Sequence, residues 1–429
     1  MLRIWLFFFM ALFFTQDAFA SHLIFPVRNW GFLFIHRSFE QIPDETKYES
    51  NDVLPLLFLE ERNFQIKGLD LAYKLLQIDD TQTLSAVSKF RFNDMPFKVR
   101  TPKDDGFDMG LEYEFKISDY WMFSTAIMSD KHAHLVGDVN GYFSFQILDT
   151  YWFTYLSFLL KSKQYNTKYF AIGDSQLNSD IDTSFGVNLQ YQFYQNFYLT
   201  GAAELTYFGD ETLKDSNVRL PVQKKYILGL GFLGDSKSTP LASKYYHRLG
   251  FGFGTPTDTN KILFKFRYDS DKNNNKIASY FYGIPLADHL SILPLQVYFS
   301  PGIAQHLKGP HQGTFPEFIA MIKIYYTFPW LPFRTRIGLG EGLSYTEKIS
   351  DIEKSELVTR RLVEPSYLLN YMDYSLDVSL GDIFRVDVLK DLTVGWYLHH
   401  RSGIYGNSSL FNRVVGGSNY HTFYLMYEF

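Results

Sequence analysis

Apolar and polar residues alternate strictly along much of the chain. From Phe107 to Ile117 the apolar positions are Phe107, Met109, Leu111, Tyr113, Phe115 and Ile117, and Asp108, Gly110, Glu112, Glu114 and Lys116 lie between them. Phe185 to Phe193 repeats the pattern with Gly186, Asn188, Gln190 and Gln192 on the polar side, and Ile262 to Tyr268 repeats it with Lys265 and Arg267. Tyr142–Ile147, Phe197–Tyr207, Tyr226–Phe232 and Phe333–Tyr345 are further segments of this kind. A period of two predicts β-strands with one apolar and one polar face. Charges fall in the middle of the polar faces, as a barrel lumen permits and a dry sandwich core does not. The predicted fold class is therefore all-β, a transmembrane antiparallel β-barrel of the outer membrane.

The two ends of the chain agree with this. Arg3, the eleven apolar residues Ile4 to Phe14, and Ala18-Phe19-Ala20 have the layout of a secretory signal cleaved after Ala20. The apolar run is too short to span a bilayer as a helix, which takes about 20 residues. At the other end Phe423, Leu425, Tyr427 and Phe429 share one strand face, and Phe429 is the last residue. An aromatic terminal strand resembles the signal that barrel-assembly machinery reads, and closure removes an edge that lipid cannot solvate. Polar, turn-rich stretches at Thr101–Gly106, Ser270–Lys276, Lys348–Glu356 and Asn407–Ser418 read as loops. Leu233–Lys244, rich in Gly, Ser, Pro and Lys, reads as a boundary. The expected order is a signal over 1–20, a barrel over 21–234, a linker over 235–244 and a second barrel over 245–429. Alternating segments of about 10 residues give roughly 10–12 and 8–9 strands, and one barrel of about 18–20 strands is the alternative.

Composition narrows the function classes. The 42 Phe and 31 Tyr suit an apolar outer face with interfacial girdles. A net charge of −5 without a basic stripe speaks against nucleic acid. There is no cysteine, so thiolate chemistry is excluded. His132-Ala133-His134 puts two imidazoles on one strand face, but no acid or cysteine lies at ligand spacing, and no metal or cofactor is expected. His247, His306 and His311 read as isolated loop residues.

Residues 22–234 resemble the MipA/OmpV family, proteins first named for interacting with a lytic transglycosylase. The resemblance rests on Lys161 to Phe170, which contains Tyr165-Asn166 and Tyr169-Phe170, on Asn196 to Asp210, and on Val222 to Phe232. It implies an outer-membrane scaffold or adhesin with periplasmic peptidoglycan-remodelling enzymes as partners. Tyr165, Asn166 and Tyr169 themselves read as girdle aromatics and turn residues beside a membrane strand.

The sharper chemistry lies in Leu392 to Ile404. Leu392, Val394, Trp396 and Leu398 form an apolar face, and the same parity carries His400 and Ser402 to the lipid side. Counting up from a periplasmic C-terminus puts His400 roughly 20 Å high, at the outer leaflet. Imidazole can take a serine proton and make the hydroxyl an acyl-transfer nucleophile. Residues 245–429 resemble the PagL family of lipid A 3-O-deacylases, small barrels with a His-x-Ser motif near the last strands. His400-Arg401-Ser402 carries the match, and Leu339 to Tyr345 is a weaker point of similarity. The resemblance implies a serine esterase acting on lipid A. The family's acidic partner is missing, because Gly403 to Met426 holds no Asp or Glu; Glu341, of outward parity, is the candidate orienter. His36-Arg37-Ser38 repeats the motif where no chemistry is expected. Esterase, scaffold and pore are the three readings.

Overall fold

The computed structural model describes residues 30–41, 48–92, 106–171, 175–214, 221–234, 241–357, 365–411 and 414–429. The expected signal, most of Thr101–Gly106 and residues 235–240 of the expected linker lie outside these residues. Strands form two closed antiparallel barrels of twelve and eight strands. No described helix is long and apolar enough to cross a membrane.

The first barrel runs through β1 (Trp30–Gln41), β2 (Tyr48–Glu61), β3 (Phe64–Gly68), β4 (Asp70–Gln77), β5 (Gln82–Arg91), β6 (Gly106–Lys116), β7 (Trp121–Ser129), β8 (Leu135–Ile147), β9 (Thr150–Lys161), β10 (Asp180–Tyr194), β11 (Phe197–Tyr207) and β12 (Val222–Leu233). Each strand pairs with its sequence neighbour, and β1 closes on β12 with Gly31 opposite Leu233. Arg62, Leu148 and Gln195 take positive φ in tight turns at one end, where hairpin twist favours it. The longer connections gather at the other end. Alternation turns Leu111, Ile127 and Leu228 outward and exposed, and lumen positions pair their charges. Lys89 reaches Glu112 at 2.7 Å and Asp138 at 2.9 Å, and Lys161 reaches Asp182 at 2.7 Å.

One segment of this barrel departs from expectation. Tyr165, Asn166 and Tyr169 are neither girdle nor turn residues. They lie on helix α1 (Lys163–Phe170), capped by Ser162, and all three are buried. The Tyr165 hydroxyl donates to Asp108 and that of Tyr169 to Asp130, at 2.7 and 2.5 Å. The Arg91 guanidinium stacks 3.3 Å from the Tyr169 ring. Helix α2 (Asp210–Lys214) meets α1 through a bond from Thr212 to Asn166.

The second barrel runs through β13 (Tyr246–Thr255), β14 (Lys276–Ala287), β15 (Leu295–His306), β16 (Phe315–Thr327), β17 (Thr335–Thr346), β18 (Leu368–Ser379), β19 (Leu392–Ser402) and β20 (Gly417–Glu428), and β13 closes on β20. Ile262–Tyr268, expected as a strand, is instead helix α3 (Thr259–Lys265) and the residues after it. The ladder between β13 and β14 stops at Phe253 opposite Lys276, so this run has no strand to pair with and satisfies its backbone within a helix. Phe266 ends that helix at φ 49°.

Eight strands leave an interior that side chains can fill, and here they do. Near the C-terminus Arg336 binds Asp377 at 2.9 Å and Glu428 at 2.5 Å. At mid-height Arg248 and Lys323 both bind Asp373 at 2.5 Å, with Arg248 between the rings of Phe281 and Tyr397. At the loop end Glu317 binds His306 at 2.8 Å and His399 at 3.1 Å. His306 is thus a buried lumen residue of β15. His247 lies on β13, its ring stacked on Phe429 with centroids 4.7 Å apart. Neither is a loop residue, because both fall within strand ladders.

Candidate functional site on the outer face of the second barrel

The outward face of β17 to β20 is apolar at mid-height, where Leu339, Leu376, Val394, Phe423 and Leu425 are exposed. Toward the loop end it becomes polar. His400 pairs with Asn419 on β20 and with Met372 on β18, and Met372 pairs in turn with Glu341 on β17. One pleat higher, Ser402 pairs with Gly417 and with Asn370. Directly opposed residues share a sheet face. Asn419, His400, Ser402, Asn370 and Glu341 therefore form one polar line over four strands.

The lumen side holds this line in place. His399 is pinned by Glu317, and Arg401 donates to Glu353 at 3.0 Å. Ser418 donates to the same carboxylate at 3.3 Å. Glu353 belongs to α4 (Asp351–Lys354), a short helix whose Ser350 cap accepts the Glu353 N–H. His399, Arg401 and Ser418, the chain neighbours of His400, Ser402 and Asn419, are thus tied down, which limits movement of the outward side chains.

The hydrogen bonds around His400 determine its tautomer. Asn419 Nδ2 donates to the Thr257 carbonyl at 2.9 Å. A carbonyl only accepts, so the amide nitrogen must face Thr257 and Oδ1 must face the histidine. Oδ1 lies 2.7 Å from His400 Nδ1, which therefore carries the proton. Nε2 keeps its lone pair and can accept a proton. The Thr259 hydroxyl, at the start of α3, donates to Asn419 Oδ1 at 3.2 Å and stands 3.2 Å from His400 Nδ1. Thr257 is fixed in turn by Asp269, through bonds of 3.0 and 2.9 Å. Hydrogen bonds from Arg267 and then Thr257 hold the Asp269 carboxyl below its usual range.

The structure places His400 and Ser402 side by side on the lipid face, two residues apart on β19. No hydrogen bond joins them here; a serine hydroxyl rotates freely, and such bonds commonly tighten only with substrate. Glu341 does not meet His400, because Met372 stands between them. It stands diagonally across the ladder from Asn370 instead. The orienting place belongs to Asn419, which a search for carboxylates on the last strands passes over. Its outward parity beside Phe423 and Leu425 was the available signal. His36 and Ser38 also face outward on β1, but His36 pairs with the apolar Val53 and Leu228, so neither cross-strand neighbour can orient its ring. His134 bonds to Asp130 at 2.9 Å in the β7–β8 turn, and no group of three metal-ligating side chains occurs among the described residues.

Residues 39–233 match the family model described as MltA-interacting protein MipA. The MipA match ends at the last residue of β12, so it is confined to the twelve-stranded barrel. With the closed barrels and their apolar outer faces, it makes the chain a protein of the outer membrane. No curated protein matches the chain. Among solved structures, a bacterial polysaccharide outer-membrane secretin is 10% identical with a TM-score of 0.25, over 94% of this chain and 100% of its own. OccK11 (OpdR) of Pseudomonas aeruginosa is 9% identical with a TM-score of 0.26, over 93% and 95%. LpxR from Salmonella typhimurium is 8% identical with a TM-score of 0.19, over 68% and 88%. At such TM-scores none of the three bears on function.

Proposed function

We infer that the second barrel is a serine esterase that releases an acyl chain from a lipid of the outer leaflet, with lipid A as the substrate class. The observation that carries this reading is the Asn419–His400 pair, fixed in one tautomer beside Ser402 on a lipid-facing surface. A polar line on that face is unfavourable unless it is used, and a substrate embedded in the membrane can reach it without entering the barrel. Ser402 Oγ attacks the ester carbonyl carbon and its proton passes to His400 Nε2. The bond from carbonyl carbon to alkoxy oxygen breaks, and His400 returns that proton to the leaving oxygen. Water, deprotonated by His400, then hydrolyses the acyl-serine, releasing the fatty acid and restoring Ser402.

The test is a mass spectrum of lipid A incubated with purified, heat-modifiable protein. Wild type should release one acyl chain. Ser402→Ala and His400→Asn should fold and release none, and Ser38→Ala should behave as wild type. Unchanged lipid A with folded wild type, or full activity in Ser402→Ala, ends the esterase reading.

The MipA match favours a second role for the first barrel. There we infer a scaffold whose partner is a periplasmic peptidoglycan-remodelling enzyme, as the family's description suggests. Affinity capture with the first barrel should recover a lytic transglycosylase. A pore is disfavoured for the second barrel, because stacked ion pairs and tyrosines fill its lumen.

A further inference from the structure

Asn370 is 2% exposed on a face turned toward lipid, directly across the ladder from Ser402. A buried primary amide on such a surface is costly unless its groups are used. Its Oδ1 has no hydrogen-bond partner, and Glu341 stands diagonally across the ladder from it, two residues from Leu343, which is opposite Asn370. A bond from Nδ2 to that carboxyl would take one of the two Nδ2 hydrogens and set the plane of the amide. The second hydrogen would remain, on the side chain paired with the nucleophile. Paired strands place opposed Cα atoms about 4.5–5.5 Å apart, close enough for this N–H to reach a carbonyl oxygen whose carbon Ser402 attacks. Candidates elsewhere are already occupied: the Gly403 N–H, next along the chain, is bonded to the Gly416 carbonyl at 3.3 Å.

We propose that Asn370 is the oxyanion donor of this site, and that Glu341 is its positioning residue. When Ser402 adds to the ester, negative charge gathers on the former carbonyl oxygen, and Asn370 Nδ2–H donates to it. When the alkoxide leaves, the carbonyl re-forms and the bond weakens. Preorganised donors of this type lower the barrier because they need no reorientation as charge develops. The assignment also gives Glu341 a place in the site without any contact with His400. It rests on the Ser402–His400 esterase reading.

The experiment measures kcat and KM on a water-soluble p-nitrophenyl acyl ester and labelling of Ser402 by a fluorophosphonate. The proteins are full-length, detergent-folded wild type, Asn370→Ala, Asn370→Asp, Glu341→Leu and Glu341→Gln. Asn370→Ala should lower kcat by about 10²–10³-fold with little change in KM. Asn370→Asp, nearly isosteric, keeps the packing but turns an oxygen to the oxyanion, and should be at least as slow. Glu341→Leu should also lower kcat, and Glu341→Gln should restore most of it, since its carbonyl can still accept from Asn370. Wild type that neither hydrolyses the ester nor takes the label overturns the esterase reading and this assignment with it. Active, labelled wild type with Asn370→Asp within about threefold of it overturns the oxyanion assignment alone, since that loss lies far below the range for a lost donor.

Discussion

Asn419 orients His400 without a charge. A carboxylate there would also stabilise the imidazolium that forms as Ser402 gives up its proton, whereas an amide supplies only the tautomer. An orienting amide fails when its NH2 group faces the imidazole, and the Thr257 carbonyl prevents that here. Asn419→Asp adds that charge but sets a second acceptor against the Thr257 carbonyl, so it should gain little in kcat at neutral pH, and Asn419→Leu should lower it by about 10²-fold or more, on the scale of general-base assistance. Steady-state rates on a soluble ester check both, and an unaffected Leu variant would remove Asn419 from the site. The side of the sheet on which His400 and Ser402 lie was legible from parity alone. The polar line was not. Its members come from three strands besides β19, and a sequence does not show which residue of β18 or β20 stands opposite which of β19. Glu341 was found by parity and given the wrong neighbour for that reason.

Helix α1 shows what alternation cannot report. Its residues follow a barrel strand and mix aromatics with small polar residues, so they read as girdle and turn. The informative signal was Ser162, whose side chain accepts the Tyr165 N–H at 3.3 Å. Once formed, the helix is held through Asp130. Burial pushes that carboxyl up, but hydrogen bonds from the Tyr169 hydroxyl, from the backbone of His134 and His132 and from the His134 ring outweigh it and bring it down to about 2. A lowered carboxyl stabilises the folded form above its ordinary value of 3.8, and that contribution is lost as pH falls through about 2. Pepsin cleavage within residues 162–171 should therefore rise as pH is taken from 4 to 2. Asp130→Asn should show high cleavage at both values, and equal protection of the two proteins would exclude this lock. The α3 run misled in the opposite sense: Phe264 to Tyr268 alternate correctly, but they lie beyond the last rung of their hairpin, and a strand exists only where a partner does.

The barrels close separately in sequence order, each with its first strand on its last. The strand counts were readable from repeated alternation. The choice between one barrel and two was not, because closure is a property of pairing between distant segments. Residues just before β13 fasten to the second barrel: the backbone N–H groups of Ala242 and Ser243 donate to Asp288 at 2.6 and 2.9 Å, and Lys244 binds Asp391 at 2.7 Å. Protease cleavage between Leu233 and Leu241 should then give two fragments that each keep heat-modifiable migration on gels. A nicked protein that stays whole until denatured would contradict independent closure. Because ion pairs occupy the inside of the eight-stranded barrel and the polar line is on its outside, a lipid substrate would arrive by sliding within the leaflet. Such an encounter is two-dimensional, and its rate follows the fraction of the surface that is substrate, not moles per litre. Diluting that surface with inert detergent, at constant bulk substrate, should slow the reaction even though nothing occupies the site.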